Sequence, residues 1–144
     1  MFWSRNVFVD TSFWFAALEA SDRNHARARE LALAAAEQAV RLHATREVVG
    51  ETLTLLRYRA GARAALVFLD HVVPSLHIVE ATAELHGIAL ALFRRLAVRR
   101  RLSYCDALSF VVVRRVLGDA PCLAFDRDFC ALGLAVIGGS VHDK

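Results

Sequence analysis

Short runs of consecutive apolar residues alternate along the chain with longer stretches in which apolar residues recur every three or four positions. The short runs are typical of strands in a parallel sheet, and the spaced pattern is typical of amphipathic helices. The short runs predict strands at residues 7–9, 41–44, 76–79, 122–125 and 134–137. The longer stretches predict helices at residues 12–20, 23–39, 46–60, 62–73, 82–101 and 103–117, with a tail from residue 138. We therefore expect an α/β fold built around a parallel sheet.

Two of the predicted strands run directly into carboxylates. Asp10 follows the strand at residues 7–9, and Asp126 and Asp128 follow the strand at residues 122–125. In open α/β folds, ligands bind beyond the carboxyl ends of the strands, which in a parallel sheet lie on one edge. An aspartate in that position also caps the next helix by accepting a bond from a backbone N–H. Both roles are open for Asp10, and the later acids favour a site.

Glu51 is an acid inside the third predicted helix. It shares a helical stripe with Val48, Thr52 and Leu55, so we expect it on the apolar side. A carboxylate there is costly unless it is paired, hydrogen-bonded or bound to a metal, and neighbouring Gly50 costs a further ~1 kcal/mol against alanine. Two neighbouring residues that each destabilise the helix or its burial indicate a functional site. The structural alternative is an ion pair with a nearby arginine, namely Arg46, Arg57 or Arg59.

Asp106 lies in the first turn of a predicted helix that is apolar almost all round, and we expect that helix to be buried. The dipole of the helix favours an anion at this end. The spacing from Ser103 to Asp106 also fits a capping box, although Glu or Gln usually takes the second position. Asp106 is therefore either a cap or a member of an acidic site.

A basic cluster ends the helix predicted at residues 82–101, and it includes Arg95, Arg99 and Arg101. Cations are favourable at a helix C-terminus, where they are commonly solvated. They are also suited to contact RNA phosphates. Both interpretations are open, and RNA binding is the functional one.

Composition narrows the class of protein. The chain has 144 residues, of which 56% are hydrophobic and 23% charged, so we expect one domain over residues 1–144. The net charge is +3 and 17 of the 18 basic residues are arginines, which permits nucleic-acid binding without requiring it. The three cysteines have no zinc spacing, and neither a signal peptide nor an apolar run of about 18 residues is visible. These features favour a cytoplasmic protein away from membranes.

The acids Asp10, Glu51, Asp106 and Asp126 are expected to meet at one edge of the sheet. Clustered carboxylates repel unless they are protonated or neutralised. No histidine has the spacing of a zinc ligand, and a hard cation with oxygen ligands suits the site better, so we expect Mg²⁺ or Mn²⁺. Such an ion can activate a water molecule and stabilise the leaving oxygen of a phosphodiester, which indicates nuclease chemistry.

Four segments resemble, in order, the motifs of PIN-domain ribonucleases. They read FVDTS at residues 8–12, ETLTLL at 51–56, LSYCDAL at 102–108 and FDRDF at 125–129. Each segment is weak evidence alone, and the four together are specific. The length of the chain, with no further domain, resembles the VapC-type toxins of bacterial toxin–antitoxin pairs.

The resemblance implies a three-layer α/β/α sandwich with a central, mainly parallel sheet. It implies Mg²⁺- or Mn²⁺-dependent cleavage of single-stranded or loop RNA, a homodimer, and an antitoxin whose tail blocks the site. The implied metal-binding and catalytic acids are Asp10, Glu51, Asp106 and Asp126, assisted by Asp128, with the hydroxyl residues Thr11, Ser12 and Ser103 in support. The family often has Thr or Ser where this chain has Ala124, so we expect one hydrogen bond near Asp126 to be missing.

Other functions of α/β proteins with acids at strand ends require residues that differ from those in this chain. A phosphoacceptor receiver domain needs an interior lysine, and the only lysine here is Lys144. A haloacid-dehalogenase-like phosphatase needs an aspartate where this chain has Ser12. An RNA-processing PIN nuclease without an antitoxin, or a non-catalytic PIN module that binds RNA or protein, stays open. A metal-dependent RNA cleavage assay separates the enzyme from the binding module.

Overall fold

The structure, a computed structural model that describes residues 4–138, is built around a five-stranded sheet. The strands are β1 (Asn6–Val9), β2 (Arg41–Thr45), β3 (His77–Val79), β4 (Cys122–Ala124) and β5 (Val136–Gly138). Their order across the sheet is β3-β2-β1-β4-β5, and each neighbouring pair is parallel. The predicted parallel sheet is confirmed.

Helices connect these strands. They are α1 (Thr11–Leu18), α2 (His25–Glu37), α3 (Arg46–Arg59), α4 (Ala62–Val67), α5 (Ala83–Leu96), α6 (Tyr104–Arg115) and α7 (Arg127–Cys130). The stretch predicted as one helix at residues 62–73 divides into α4, a π-helical turn (Phe68–Val72) and a 3-10 turn (Val73–Ser75), the last containing Pro74. Between residues 4 and 138, no helix is both long enough and apolar enough to cross a bilayer.

Helices cover both faces of the sheet, as the side chains of β1 illustrate. Phe8 packs in an apolar cluster with Leu92 of α5 and Leu108 of α6. Val7 and Val9 point the other way and pack in a second cluster with side chains from α1 to α4. The side chains of Val7, Phe8 and Val9 are all fully buried. The fold is therefore the expected three-layer α/β/α sandwich.

The strand order reverses at the central strand β1. β2 and β3 extend the sheet on one side, and β4 and β5 extend it on the other. β1 and β4 are direct neighbours, with Phe8 opposite Cys122 and Val9 opposite Leu123. The backbone N–H of Asp10 continues this pairing by donating to the Leu123 carbonyl at 3.0 Å. Such a reversal of strand order leaves a crevice at the carboxyl ends of the strands, where α/β proteins bind ligands.

The helix predicted at residues 82–101 is too long. α5 ends at Leu96, and a connecting segment leads to α6. Past Leu96 the helix has no apolar side to bury, since Val98 is 86% exposed and the next buried residue is Leu102. Arg99 and Arg101 consequently lie on the connection rather than on a helix.

Two further differences occur near the C-terminus. The sequence did not predict α7, which begins because the Asp126 side chain caps it. The last strand begins at Val136 rather than at Leu134, and it includes Gly138. The rest of the predicted tail, from residue 139, lies outside the described residues.

A core substitution tests this packing. Leu108 is fully buried in α6, so Leu108→Ala should lower the free energy of unfolding by about 2–5 kcal/mol through loss of burial and an unfilled cavity. Leu90→Ala on α5 is the matched control, because Leu90 is 57% exposed and its loss should cost less than about 0.5 kcal/mol. Urea unfolding followed by circular dichroism measures both. Equal costs would contradict the burial of α6.

Candidate active site

A cavity of about 310 Å³ lies at the carboxyl edge of the sheet. Its walls include all four acids that the sequence predicts for one site: Asp10, Glu51, Asp106 and Asp126. The other lining residues are Thr11, Ser12, Leu55, Arg101 and Ser103. The structure therefore brings together the four acids and the three hydroxyl residues expected to support them.

Asp10 is buried at the start of α1, with 3% of its surface exposed. Its Oδ2 accepts hydrogen bonds from the backbone N–H of Ser12 at 3.0 Å and from the Ser12 hydroxyl at 2.6 Å. Its Oδ1 is buried and has no hydrogen-bond partner among residues 4–138. Asp10 thus caps a helix with one oxygen and leaves the other unsatisfied beside three further acids.

Asp106 forms the capping box that its spacing from Ser103 predicts. The Ser103 N–H donates to Asp106 Oδ2, and the Asp106 N–H donates to the Ser103 hydroxyl, both at 3.0 Å. Both residues also line the cavity. Capping and a place in the site, which are alternatives at the level of sequence, therefore occur together.

Asp126 is exposed, and it caps α7 by accepting from the Phe129 N–H through Oδ1 at 3.0 Å. The Ser12 hydroxyl accepts from the backbone N–H groups of Phe125 and Asp126, at 2.9 and 3.1 Å. Ser12 therefore ties the end of β1 to the segment after β4. The position of Ala124 carries no hydroxyl, and these backbone bonds hold the Asp126 segment instead.

Thr52 fixes the helix that carries Glu51. The fully buried Thr52 hydroxyl donates to Thr11 Oγ1 at 3.0 Å, and the Thr11 hydroxyl donates to the Val48 carbonyl at 3.5 Å. This chain of bonds anchors α3 to the start of α1, next to Asp10. The buried stripe of α3 consists of Val48, Thr52 and Leu56, and Glu51 lies beside it, half-buried at the cavity.

The ion pair considered for Glu51 is not found among residues 4–138. Arg46 instead pairs with Glu80 at 2.8 Å, and the Arg59 guanidinium lies over the Phe15 ring at 5.3 Å. Gly50 is exposed, and an added Cβ would meet no atom within 4 Å. Nothing in the structure explains a glycine there.

Burial and like charge raise the pKa values of two of the acids. Desolvation, with repulsion from Asp106 and Asp126, raises the pKa of Asp10 to about 7, although the Ser12 hydrogen bonds act in the opposite direction. Desolvation, with repulsion from Asp126 and Glu51, raises the pKa of Asp106 to about 6. The cavity therefore disfavours its own negative charge in the absence of a cation.

The donor set fits a hard divalent cation. Asp10, Asp106 and Asp126 each use one carboxylate oxygen in a helix cap, and the second oxygen of each makes no hydrogen bond in the described structure. Oxygen donors of this kind are those that Mg²⁺ and Mn²⁺ prefer. Across residues 4–138, no three His, Cys, Asp or Glu side chains are already arranged around one point. Because bare carboxylates repel, a cation would have to draw these side chains inward.

Of the remaining residues that the sequence predicts for the site or for RNA binding, only some line the cavity. Asp128, expected to assist, lies within α7 and is not among the residues that line the cavity. Of the three arginines considered for RNA binding, Arg101 lines the cavity. Arg95 lines a separate groove between α5 and α6, and Arg99 lies on the exposed connection after α5.

Cys105 is a buried thiol near the site, and the sequence did not indicate that it lies close to Glu51. It is 7% exposed, directly precedes Asp106 in α6 and is not among the residues that line the cavity. Burial, with the charges of Glu51 and the neighbouring aspartates, raises the pKa of its thiol far above the ordinary range, so the thiol stays protonated. Thr52 was also unassigned, although its position beside Glu51 on the buried stripe was a usable signal.

Comparison with known proteins agrees with this geometry. Residues 7–134 match the PIN domain family. The chain is 38% identical over 135 residues to a protein of Mycobacterium tuberculosis named 23S rRNA-specific endonuclease VapC20. The alignment covers 91% of this chain and 97% of that protein.

Solved structures give the same picture. The crystal structure of M. tuberculosis VapC20, described as a sarcin–ricin loop cleaving toxin, has a TM-score of 0.78 and 35% identity, and the match covers 92% of this chain and 97% of that one. VapBC2 from Rickettsia felis, bound to a DNA fragment from its promoter, has a TM-score of 0.64 at 14% identity, over 92% and 97% of the two chains. The second likeness shows the fold alone. The family match and the VapC20 similarity together establish that this chain belongs to the PIN-domain family, as one of its VapC-type members.

Proposed function

We propose that this protein is a Mg²⁺- or Mn²⁺-dependent endoribonuclease that acts as the toxin of a toxin–antitoxin pair. The observation that carries the proposal is the Asp10 carboxylate, which is buried among three other acids with one oxygen unpartnered. A charged oxygen in that setting is costly unless a cation or a proton meets it. The similarity to VapC20 supports RNA as the substrate.

The residues of the site have two roles: some would bind the metal ion, and others fix the positions of those ligands. Asp10, Glu51, Asp106 and Asp126 would bind the cation, which when bound lowers the pKa of water and stabilises negative charge on a phosphodiester. Ser12 fixes Asp10 and the backbone at Asp126 together, and Ser103 fixes Asp106. Thr52 fixes α3 beside Asp10 through Thr11. These bonds orient the acids, which is the role of residues that form hydrogen bonds to metal ligands.

The proposed substrate is an exposed RNA loop such as the sarcin–ricin loop of 23S rRNA, the target named for VapC20. Single strands and loops can present a phosphodiester to a cavity in a way that paired RNA does not. The proposed partners are a cognate antitoxin and a second copy of this chain, and the proposed compartment is the cytoplasm, where ribosomes are found. Incubation with a sarcin–ricin stem-loop RNA, in Mg²⁺ or Mn²⁺ and in EDTA, tests the activity directly.

Two alternatives share the fold. An RNA-processing nuclease without an antitoxin would cleave RNA equally well but would not arrest growth when expressed alone. A non-catalytic module that binds RNA or protein would bind without cleaving. The unpartnered oxygen of Asp10 favours an enzyme, because a binding module has no need for a costly buried carboxylate.

Glu51→Gln separates a catalytic role from a structural one. We expect cleavage to fall by at least about 100-fold while the melting temperature stays within a few degrees, because the amide keeps the shape and loses the charge that holds a cation. Glu47→Gln is the matched control, since Glu47 lies one turn away on α3 and does not line the cavity. Isothermal titration with Mn²⁺ should show weaker binding only in Glu51→Gln. A destabilised but fully active Glu51→Gln would remove Glu51 from the site.

Because the pKa of Asp10 is raised, we expect the stability of the metal-free protein in EDTA to decrease as the pH rises. Because its folded pKa of about 7 exceeds its ordinary value of 3.8, the native state holds more protons between those pH values and the free energy of unfolding falls as pH rises. Asp10→Asn removes the charge and keeps a residue that caps helices well. Its melting temperature should therefore exceed that of the wild type at about pH 8, by a margin that shrinks towards about pH 4.

Calorimetric scans across this pH range provide the measurement, with Asp128→Asn as the control on the same edge of the sheet. Added Mn²⁺ should reverse the ranking, because a cation that binds the folded wild type stabilises it by mass action. A margin that does not change with pH would show that the Asp10 charge is not what destabilises the apo protein.

A further inference from the structure

Arg101 is the only cation among the described residues that line the acidic cavity. It lies on the segment between α5 and α6, directly before Leu102, which is 7% exposed, and Ser103, which caps α6. The buried leucine and the capping box fix the backbone at this point. Arg101 therefore presents an exposed side chain from an anchored position at the rim of the site.

The Arg101 guanidinium has no ion-pair partner among the described residues. Four carboxylates nevertheless share its cavity. Arginines elsewhere on the surface do find partners, as in the pairs Arg46–Glu80 at 2.8 Å and Arg114–Asp119 at 3.0 Å. No described residue from 4 to 138 accepts a hydrogen bond from the Arg101 guanidinium, so its donors can face a ligand in the cavity.

An acidic cavity creates a problem for an RNA substrate that this residue can solve. A phosphodiester is negatively charged, and Asp10, Glu51, Asp106 and Asp126 repel it. A cation bound to the acids would offset part of that repulsion. The reaction also requires the phosphate to be held beside the cation in one orientation. Guanidinium groups bind phosphate oxygens in a planar, bidentate manner that combines charge with geometry.

We propose that Arg101 is a substrate-binding residue whose guanidinium grips the non-bridging oxygens of an RNA phosphate seated over the four acids. This inference rests on the proposed function and specifies how that site holds its substrate. Arg95 differs because it lines the groove between α5 and α6 with Phe110 and Arg114, away from the acids. Arg100 differs because it lines a pocket with Leu96 and Phe110 and does not line the acidic cavity.

The test compares Arg101→Ala, Arg101→Lys and the control Arg100→Ala, which removes the same charge from the adjacent exposed residue. The probe is a fluorescently labelled sarcin–ricin stem-loop RNA. Cleavage is followed in Mn²⁺, and binding is followed separately in Ca²⁺ or EDTA, over a range of salt concentrations. Thermal melting confirms that each variant folds.

We expect Arg101→Ala to lose about tenfold or more in kcat/KM, the effect of a lost charge-assisted hydrogen bond, while Arg100→Ala stays within about twofold. Arg101→Lys should recover part of the loss, because it keeps the charge without the planar fork. The salt dependence of RNA binding should flatten by about 0.7 in logarithmic slope for Arg101→Ala, as expected for one phosphate contact on a single strand. Mn²⁺ affinity should not fall in any of the three variants.

Equal effects of Arg101→Ala and Arg100→Ala on cleavage and on salt slope would overturn the inference and leave the nuclease intact. Absence of metal-dependent cleavage by the wild type would instead overturn the proposed function. In that case the binding measurements still decide on Arg101: selective weakening in Arg101→Ala supports a phosphate contact, and its absence refutes one. The two failures are therefore distinguishable.

Discussion

Burial of the Asp10 carboxylate is the constraint around which this site is arranged. The central strand carries Asp10 out of water, and its two hydrogen bonds from Ser12 satisfy only one of the two carboxylate oxygens. A protein interior tolerates such a group when it takes up a proton or faces a positive charge. The pKa of about 7 reflects the first response in the apo protein. The neighbouring acids, at the crevice where the strand order reverses, would favour the second response by attracting the cation that we propose.

Three acids that line the cavity at this edge of the sheet also cap helices. Asp10, Asp106 and Asp126 each accept a backbone N–H at the start of a helix, and within residues 4–138 the second oxygen of each has no hydrogen bond. The cap orients the carboxylate, and the helix N-terminus partly compensates its charge. The hydrogen bonds at the starts of α1, α6 and α7 therefore also orient the acids of the site.

Sequence patterns predicted the strands, and apolar runs that end in aspartate indicated Asp10 and Asp126. Glu51 and Asp106 were indicated by a different signal, a carboxylate within the pattern of an apolar helix. The end of α5 was misjudged because arginine is a good helix former and its propensity does not reveal where the core ends. The role of Ser12 as a bridge between β1 and the Asp126 segment depends on two positions over a hundred residues apart, which no local pattern contains. Cys105 was missed for the same reason, since its neighbour Glu51 lies on another helix.

The hydroxyl bridge from Ser12 has a consequence for synthesis of the chain. Its acceptor role joins residues separated by 113 and 114 positions, so nearly the whole chain must leave the ribosome before the cavity can close. Contacts this distant in sequence form late, because the entropy of closing the loop must be offset first. A nascent chain that ends before β4 holds Asp10, Glu51 and Asp106 but neither Asp126 nor the backbone that orders Ser12. Such a fragment has an incomplete site, so all four acids can line the cavity only after β4 and Asp126 have been synthesised.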